Sequence, residues 1–140
     1  MNERPETLRS GYRGYIGSRP VLGSRIPQHV QNLVIRDYAA RSGLTFKLSA
    51  TEYAMPHCYM MLEQVLAELP GLDGMIAYTL FMLPERRGRR QEIYRRILDT
   101  GACLHTAVEG LVLASEADIG RLEDIWSVQQ ALTHMAPVRF

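Results

Sequence analysis

Two rhythms of hydrophobic and polar residues take turns along this chain. Tyr12 to Gly17 (YRGYIG) sets aromatic or aliphatic residues against small or polar ones and predicts a first strand. From Pro27, whose missing N–H suits a first helical turn, Val30, Leu33, Val34, Ile35 and Tyr38 recur at helical spacing until Gly43 offers a stop. Leu44, Phe46 and Leu48 alternate again and predict a second strand. After a loop over 49–56, Met61, Leu62, Val65, Leu66 and Leu69 form a second helical stripe, ended by Pro70 and Gly71. The nearly unbroken apolar run from Gly74 to Leu83 predicts a strand covered on both faces. Ile93, Tyr94, Ile97 and Leu98 mark a third helix that closes at Gly101, and Cys103 to Val108 reads as a fourth strand. Ser115 and Asp118 resemble a capping box ahead of a last helix carrying Ile119, Leu122, Ile125 and Trp126.

Strand and helix therefore alternate through the whole chain. That order predicts an α/β fold, a three-layer sandwich around a mostly parallel sheet of about four strands with right-handed crossovers. Residues 1–10 read as a flexible arm, 11–135 as a single α/β domain and 136–140 as a tail. A composition of 46% hydrophobic and 22% charged residues excludes the disordered and fibrous classes. The net charge of +1 argues against a general attraction to nucleic acid or anionic membrane. No apolar run approaches the roughly 18 residues of a membrane span, and MNERPETLRS lacks the apolar segment of a signal peptide. A cytoplasmic setting without a membrane partner is expected. Cys58 and Cys103 make no disulfide framework, and no ligand-spacing motif calls for a metal or other cofactor.

The chemistry-bearing residues gather where strands give way to helices, the place where α/β proteins line their crevices. Between Ser49 and Glu63 lie Glu52, Tyr53, His57 and Cys58. Glu52 and His57 suit acid/base work, and Cys58 suits nucleophilic attack if a helix N-terminus favours its thiolate. Each has a plainer part open to it: Glu52 as a hydrogen-bond acceptor at the helix start, His57 as a surface residue, Cys58 as a small core residue. Glu109, after the fourth strand, joins the same crevice as a further acid/base candidate. His105 reads more simply as a hydrogen-bonded core histidine. Two Ser–Arg pairs, Ser18-Arg19 and Ser24-Arg25, bracket the turn before the first helix and could grip a phosphate or carboxylate, or be solvated loop residues. Fifteen of the sixteen basic residues are Arg, which suits bidentate anion recognition but also follows from a GC-rich genome. The densest basic segment, Glu85 to Arg90 with Arg95 and Arg96, is either a solvated helix start, an oligomer contact or a phosphate contact.

Two resemblances bear on function. Gly14-Tyr15-Ile16-Gly17-Ser18, the stretch Asp73 to Leu83 and Ala107-Val108-Glu109-Gly110 resemble the first, third and fourth strands of serine recombinase (resolvase) catalytic domains, a resolvase-like or flavodoxin-like arrangement. That family needs arginines around a scissile phosphate, and Met55, Phe81 and Met82 stand here where its charged residues are expected. GYRGYI with Ser18, Arg19 and Pro20, RIPQHVQNLVIRDYA, LSATEYAMPHCYMMLEQ and DGMIAYTLFMLP resemble, over nearly the whole chain, the sporadic carbohydrate cluster proteins. This second resemblance implies a context of sugar biosynthesis without fixing a reaction.

Together these readings lead to an expected small cytoplasmic enzyme acting on an activated sugar (a nucleotide sugar) or a phosphorylated one. Ser18, Arg19 and Arg25 would hold the anion, Tyr15 and Tyr53 would meet the ring, and Glu52, His57, Cys58 or Glu109 would carry the chemistry. A homodimer is expected, with Met60, Met61 and Trp126 as apolar surface or, more simply, as core. The alternatives are a DNA-binding or DNA-cleaving relative of recombinases and a non-catalytic partner of a sugar-modifying enzyme.

Overall fold

The structure, a computed structural model, describes residues 10–135, so the expected arm and tail lie, Ser10 apart, outside the described residues. Five strands and four helices follow one another: β1 (Tyr12–Gly17), α1 (Gln28–Arg41), β2 (Phe46–Glu52), α2 (Met60–Glu68), β3 (Gly74–Ala77), α3 (Arg87–Asp99), β4 (Cys103–Thr106), β5 (Leu111–Leu113) and α4 (Ile119–Thr133). The sheet order is β2-β1-β3-β4-β5, and only β5 runs antiparallel to its neighbour. The mostly parallel α/β sheet expected from the alternation of rhythms is present.

Pleating assigns the layers. Successive strand residues point to opposite faces, so Tyr15 and Ile16 on β1, like Met75 and Ile76 on β3, belong to different cores. Ile16 and Ile76 pack with Ile35 and Tyr38 of α1. Tyr15, Met75 and Leu104 pack with Leu62 and Val65 of α2, Ile93 and Ile97 of α3, and Leu122 and Trp126 of α4. One helix thus covers one face and three cover the other.

Three elements differ from expectation by more than a residue or two, while the fourth strand ends at Thr106 instead of Val108. The second strand runs over 46–52 rather than 44–48, so Glu52 sits on a strand end paired with Gly17 instead of in a loop. Its outer half is Ser49-Ala50-Thr51-Glu52, too polar for a hydrophobic pattern to reveal. It fits because Ser49 crosses over Gly14, where an added Cβ would come within 2.1 Å of the Ser49 hydroxyl oxygen. The apolar run from Gly74 stays extended only to Ala77, then turns into a 3-10 segment at Leu80–Met82. Continuous apolarity does not separate strand from helical turn. Finally, Leu111–Leu113 is a fifth strand, with Leu111 and Leu113 buried and Val112 facing out. Three residues are too few to announce a period.

A buried ion pair ties α3 to α4. Arg90, 2% exposed, reaches Glu123 through Nε and Nη2, both at 2.8 Å, and its Nη1 donates to the carbonyls of Pro84 and Glu85 at 3.1 and 2.6 Å. Its guanidinium lies 4.2 Å from the centroid of the Trp126 ring, and Tyr94 donates its hydroxyl to Glu123 at 2.8 Å. The basic segment therefore contains one core residue amid solvated neighbours. Trp126, 4% exposed, is core and supplies no dimer surface, whereas Met60 is 64% exposed.

Candidate functional site

The strand order changes direction between β1 and β3: β1 connects to β2 on one side, while β3 leads to β4 on the other. Such a switch point opens a crevice beyond the carboxyl ends of the strands. Here it holds two cavities. One, of about 240 Å³, is lined by Arg19, Val21, Leu22, Ser24, Tyr78 and Thr79 among others. The second, of about 320 Å³, is lined on its aromatic side by His57, Tyr59, Phe81 and Trp126, and by Arg19, Val21, Leu22 and Glu85. Arg19, Val21 and Leu22 belong to both walls.

Sequence reasoning missed the residue that holds the loop between β1 and α1 in place. Gln31, 4% exposed, accepts from the Gly17 amide at 3.0 Å and donates to the carbonyls of Gly17 and Ile26 at 2.9 and 2.8 Å. Its signal was available: Gln31, Ile35 and Tyr38 are buried on one helical stripe, and a polar residue on an apolar face needs partners. Within this loop Arg19 extends to the other side of the crevice. Its Nη1 donates to the carbonyls of Met55 and Cys58 at 3.1 and 2.8 Å, and its guanidinium lies 4.6 Å from the Tyr59 ring centroid. Arg89, from the start of α3, approaches the same ring at 5.1 Å.

The carboxylate of Glu52 is fully engaged. It is 1% exposed, and Oε1 accepts from the Tyr15 hydroxyl at 2.8 Å and the Leu62 amide at 3.0 Å. Oε2 accepts from the amides of Tyr53 and Met61, both at 3.1 Å, and from the Cys58 thiol at 3.9 Å. A carboxylate offers about four lone-pair sites, so five donors leave none for a substrate. Because Met61 and Leu62 are in the first turn of α2, Glu52 itself supplies the negative charge that a helix N-terminus attracts. Of the two parts open to it, it takes the helix-start acceptor, and Cys58 meets it as a thiol donor. Tyr15 is wholly buried; burial first, then its bond to Glu52, pushes its phenol well above the usual range.

The remaining candidates are spread around this frame. His57 is exposed, lines the larger cavity and makes no hydrogen bond among the described residues. Glu109, half-buried, accepts from the Thr79 hydroxyl and from the Leu80 amide at 3.0 Å, holding the 3-10 segment after β3. Ser18 accepts from Gln28 at 3.0 Å. Arg25 and Tyr53 are exposed and line neither cavity. His105, 8% exposed, has its Nδ1 2.6 Å from the Tyr38 hydroxyl, and burial holds its imidazole below the ordinary value. Where recombinases would carry charge, Phe81 lines the larger cavity, Met82 is buried and Met55 is exposed with its carbonyl bound by Arg19. Among the described residues no group of three or more His, Cys, Asp or Glu is arranged to hold a metal ion.

This fold resembles that of resolvase-type catalytic domains. A resolvase family site-specific recombinase from Streptococcus pneumoniae is similar with a TM-score of 0.62 and 10% identity, over 87% of this chain and 90% of that one. The N-terminal catalytic domain of TP901-1 integrase is similar with a TM-score of 0.56 and 14% identity, over 86% of this chain and 95% of that one. At such identities the likeness is one of fold. No family model matches the chain and no curated protein does. The resemblance to sporadic carbohydrate cluster proteins accordingly rests on its sequence phrases.

Proposed function

We propose that the protein binds an activated or phosphorylated sugar in this crevice and acts on it by proton transfer. The observation that carries the reading is the meeting of two cavities at Arg19. Among the described residues only Nη1 of that side chain donates hydrogen bonds, while the guanidinium lies against the Tyr59 ring, so Nε and Nη2 keep donor capacity for a phosphate oxygen. His57 is the proton-transfer group, since imidazole suits that work near neutral pH and this ring is uncommitted. Glu109, which lines neither cavity, accepts from Thr79 and Leu80 and has lone pairs to spare, so it stands as a second acid/base candidate beside the crevice. Glu52, Cys58 and Tyr15 support the wall. A cytoplasmic setting goes with this reading; among the described residues no helix is long and apolar enough to cross a membrane.

Thermal melting of the full chain with a series of sugar phosphates and nucleotide sugars tests it. A rise in Tm that Arg19→Ala removes is expected, with the ligand-free melt of the variant reporting any loss of loop anchoring. Absence of a shift with every sugar phosphate and every nucleotide sugar sinks the reading. His57→Ala should bind ligand and fail to turn it over.

A second reading, a DNA-binding or DNA-cleaving relative of recombinases, is favoured by the fold match. It requires duplex binding that falls steeply with salt, and the exposed Arg86, Arg87 and Arg89 would be the first residues to replace. Lack of duplex binding at low salt would end it.

A further inference from the structure

We infer that a second copy of this chain docks on α4, the two helices running antiparallel about a two-fold axis, independently of what the crevice binds. The starting observation is an apolar stripe that the rest of the domain leaves uncovered. Ile125, Val128, Leu132 and Met135 follow one another at intervals of three, four and three, the spacing of a seam between two helices. Val128, Leu132 and Met135 are 60, 56 and 64% exposed. The first half of α4 is anchored by Leu122, Glu123 and Trp126, and beyond Trp126 the helix buries no residue. Short helical segments gain little from propensity alone and are held chiefly by packing an apolar face. The second half of α4 has such a face and nothing of its own domain to pack it on.

The two ends of this stripe complement each other. At the N-terminal end lies a hollow of about 480 Å³, bordered by Phe81, Arg121, Ile125 and Val128 among others. At the C-terminal end Leu132 and Met135 stand exposed. An antiparallel pairing sets Met135 of each copy opposite Ile125 of the other, and Leu132 opposite Val128. The exposed pair of each copy then enters the hollow of the other. One patch serving as its own complement is the pattern of a two-fold dimer. Charge points the same way. No Asp, Glu, Lys or Arg occurs from Ile125 to Met135, so the seam offers a charged partner nothing to pair with. The last turn of α4 has no basic residue, and the antiparallel copy brings Arg121 toward that negative end of the helix. The seam is about 16 Å long and one helix wide. That is well under the roughly 800 Å² per partner of a standard interface, so the dimer is weak and depends on concentration. Phe81 borders both this hollow and the larger cavity of the crevice, so the docked copy packs against a wall of that cavity.

Analytical ultracentrifugation of the full chain over a series from micromolar to millimolar concentration tests this. The mass should rise from monomer to dimer across the series. Val128→Lys and Leu132→Glu should each weaken the dimer at least tenfold. Both positions are exposed, so circular dichroism and the melting temperature of each monomer should match the wild type. Mixing the two variants should restore dimers, because position 128 of one chain faces position 132 of the other and the introduced charges are opposite. A parallel pairing would set 128 against 128 and give no such rescue. A wild type that stays monomeric throughout overturns the inference, and so does a dimer that neither substitution weakens. Variants that are monomeric alone and remain so when mixed overturn the antiparallel pairing, and with it the fit of the exposed pair into the hollow.

Discussion

Tyr15 and Glu52 are joined by a 2.8 Å hydrogen bond between neighbouring parallel strands, at 0% and 1% exposure. That bond links the sheet to the start of α2, because the same carboxylate collects the Met61 and Leu62 amides. A buried carboxylate is tolerated only when its hydrogen-bonding capacity is filled. Here the sheet, the helix start and the strand end fill it together. The residue that looked most like a catalytic acid is what positions the wall bearing His57 and Tyr59.

Replacing Glu52 should therefore act first on folding. Glu52→Ala strands several buried donors at once. Hydrogen bonds to charged groups are worth about 1.5–3 kcal/mol each, and their losses are not additive; a total loss of roughly 3–5 kcal/mol is expected. Glu52→Gln keeps the shape and an acceptor oxygen but must turn an NH₂ toward donors, so it should lose less. Urea unfolding measures both. A Glu52→Ala protein of unchanged stability and abolished turnover would reverse the assignment.

The buried phenols set the alkaline limit. Burial first, then hydrogen bonds to carboxylates, raises Tyr15 through Glu52 and Tyr94 through Glu123 well above their ordinary value of 10.0. In the unfolded chain these groups release protons near pH 10. Above that pH the folded state holds more protons than the unfolded one, so stability falls as pH rises. Below it their contribution is fully present. Phenolate absorbance should show part of the tyrosine titrating only together with loss of the fold, and Tyr94→Phe should shrink that late phase.

How far the chain could be read follows from which residues carried a period. β1 and the helices were legible because apolar positions repeat over many residues. The end of β2 was hidden by Ser49, Thr51 and Glu52, polar residues that belong to the sheet through backbone pairing and a glycine neighbour. β5 was too short to show its alternation. Arg90 was invisible within a charge run, since only the fold brings Glu123 to it from 33 residues away. For Glu52, position ahead of a helix made the acceptor role readable, but the convergence of five donors depends on tertiary packing. The gathering of Arg19, His57 and Trp126 around a cavity is likewise a product of the crossovers, which no local pattern encodes.

The Arg90–Glu123 pair predicts an asymmetry among substitutions. Burial pushes the Glu123 carboxyl up, but the hydrogen bonds from Arg90 and Tyr94 and the charges of Arg90 and Arg87 hold it below its ordinary value of 4.5. Its contribution is present above that pH and is lost as pH falls through the lower folded value. Removing one partner, as in Arg90→Met or Glu123→Leu, leaves a buried charge without its main partner and should cost about 3–5 kcal/mol. Removing both should recover much of that loss. Urea midpoints of the two single variants and the double variant check this, and a double variant as weak as the sum of the singles would contradict it.

Among the described residues two with side chains hold left-handed backbone, Leu22 at φ 51° and His57 at φ 60°, and both line the larger cavity. For an ordinary L-residue this conformation costs roughly 1–2 kcal/mol. Strain of this kind persists only where surrounding structure fixes it, and it collects at functional sites. Leu22 is 57% exposed, so little packing offsets the cost. Leu22→Gly should relieve the strain but add freedom to the unfolded chain, an opposing term of roughly 0.5–1 kcal/mol. The net expectation is stability equal to the wild type or up to about 1.5 kcal/mol above it. Leu22→Val, β-branched and ill-suited to positive φ, should instead destabilise by about 1 kcal/mol. Ligand affinity should move the other way for glycine: Leu22 belongs to the wall shared by both cavities, and a looser wall must be ordered on binding. A Leu22→Gly protein that is both more stable and an equally good binder would show that the strained loop plays no part in the site.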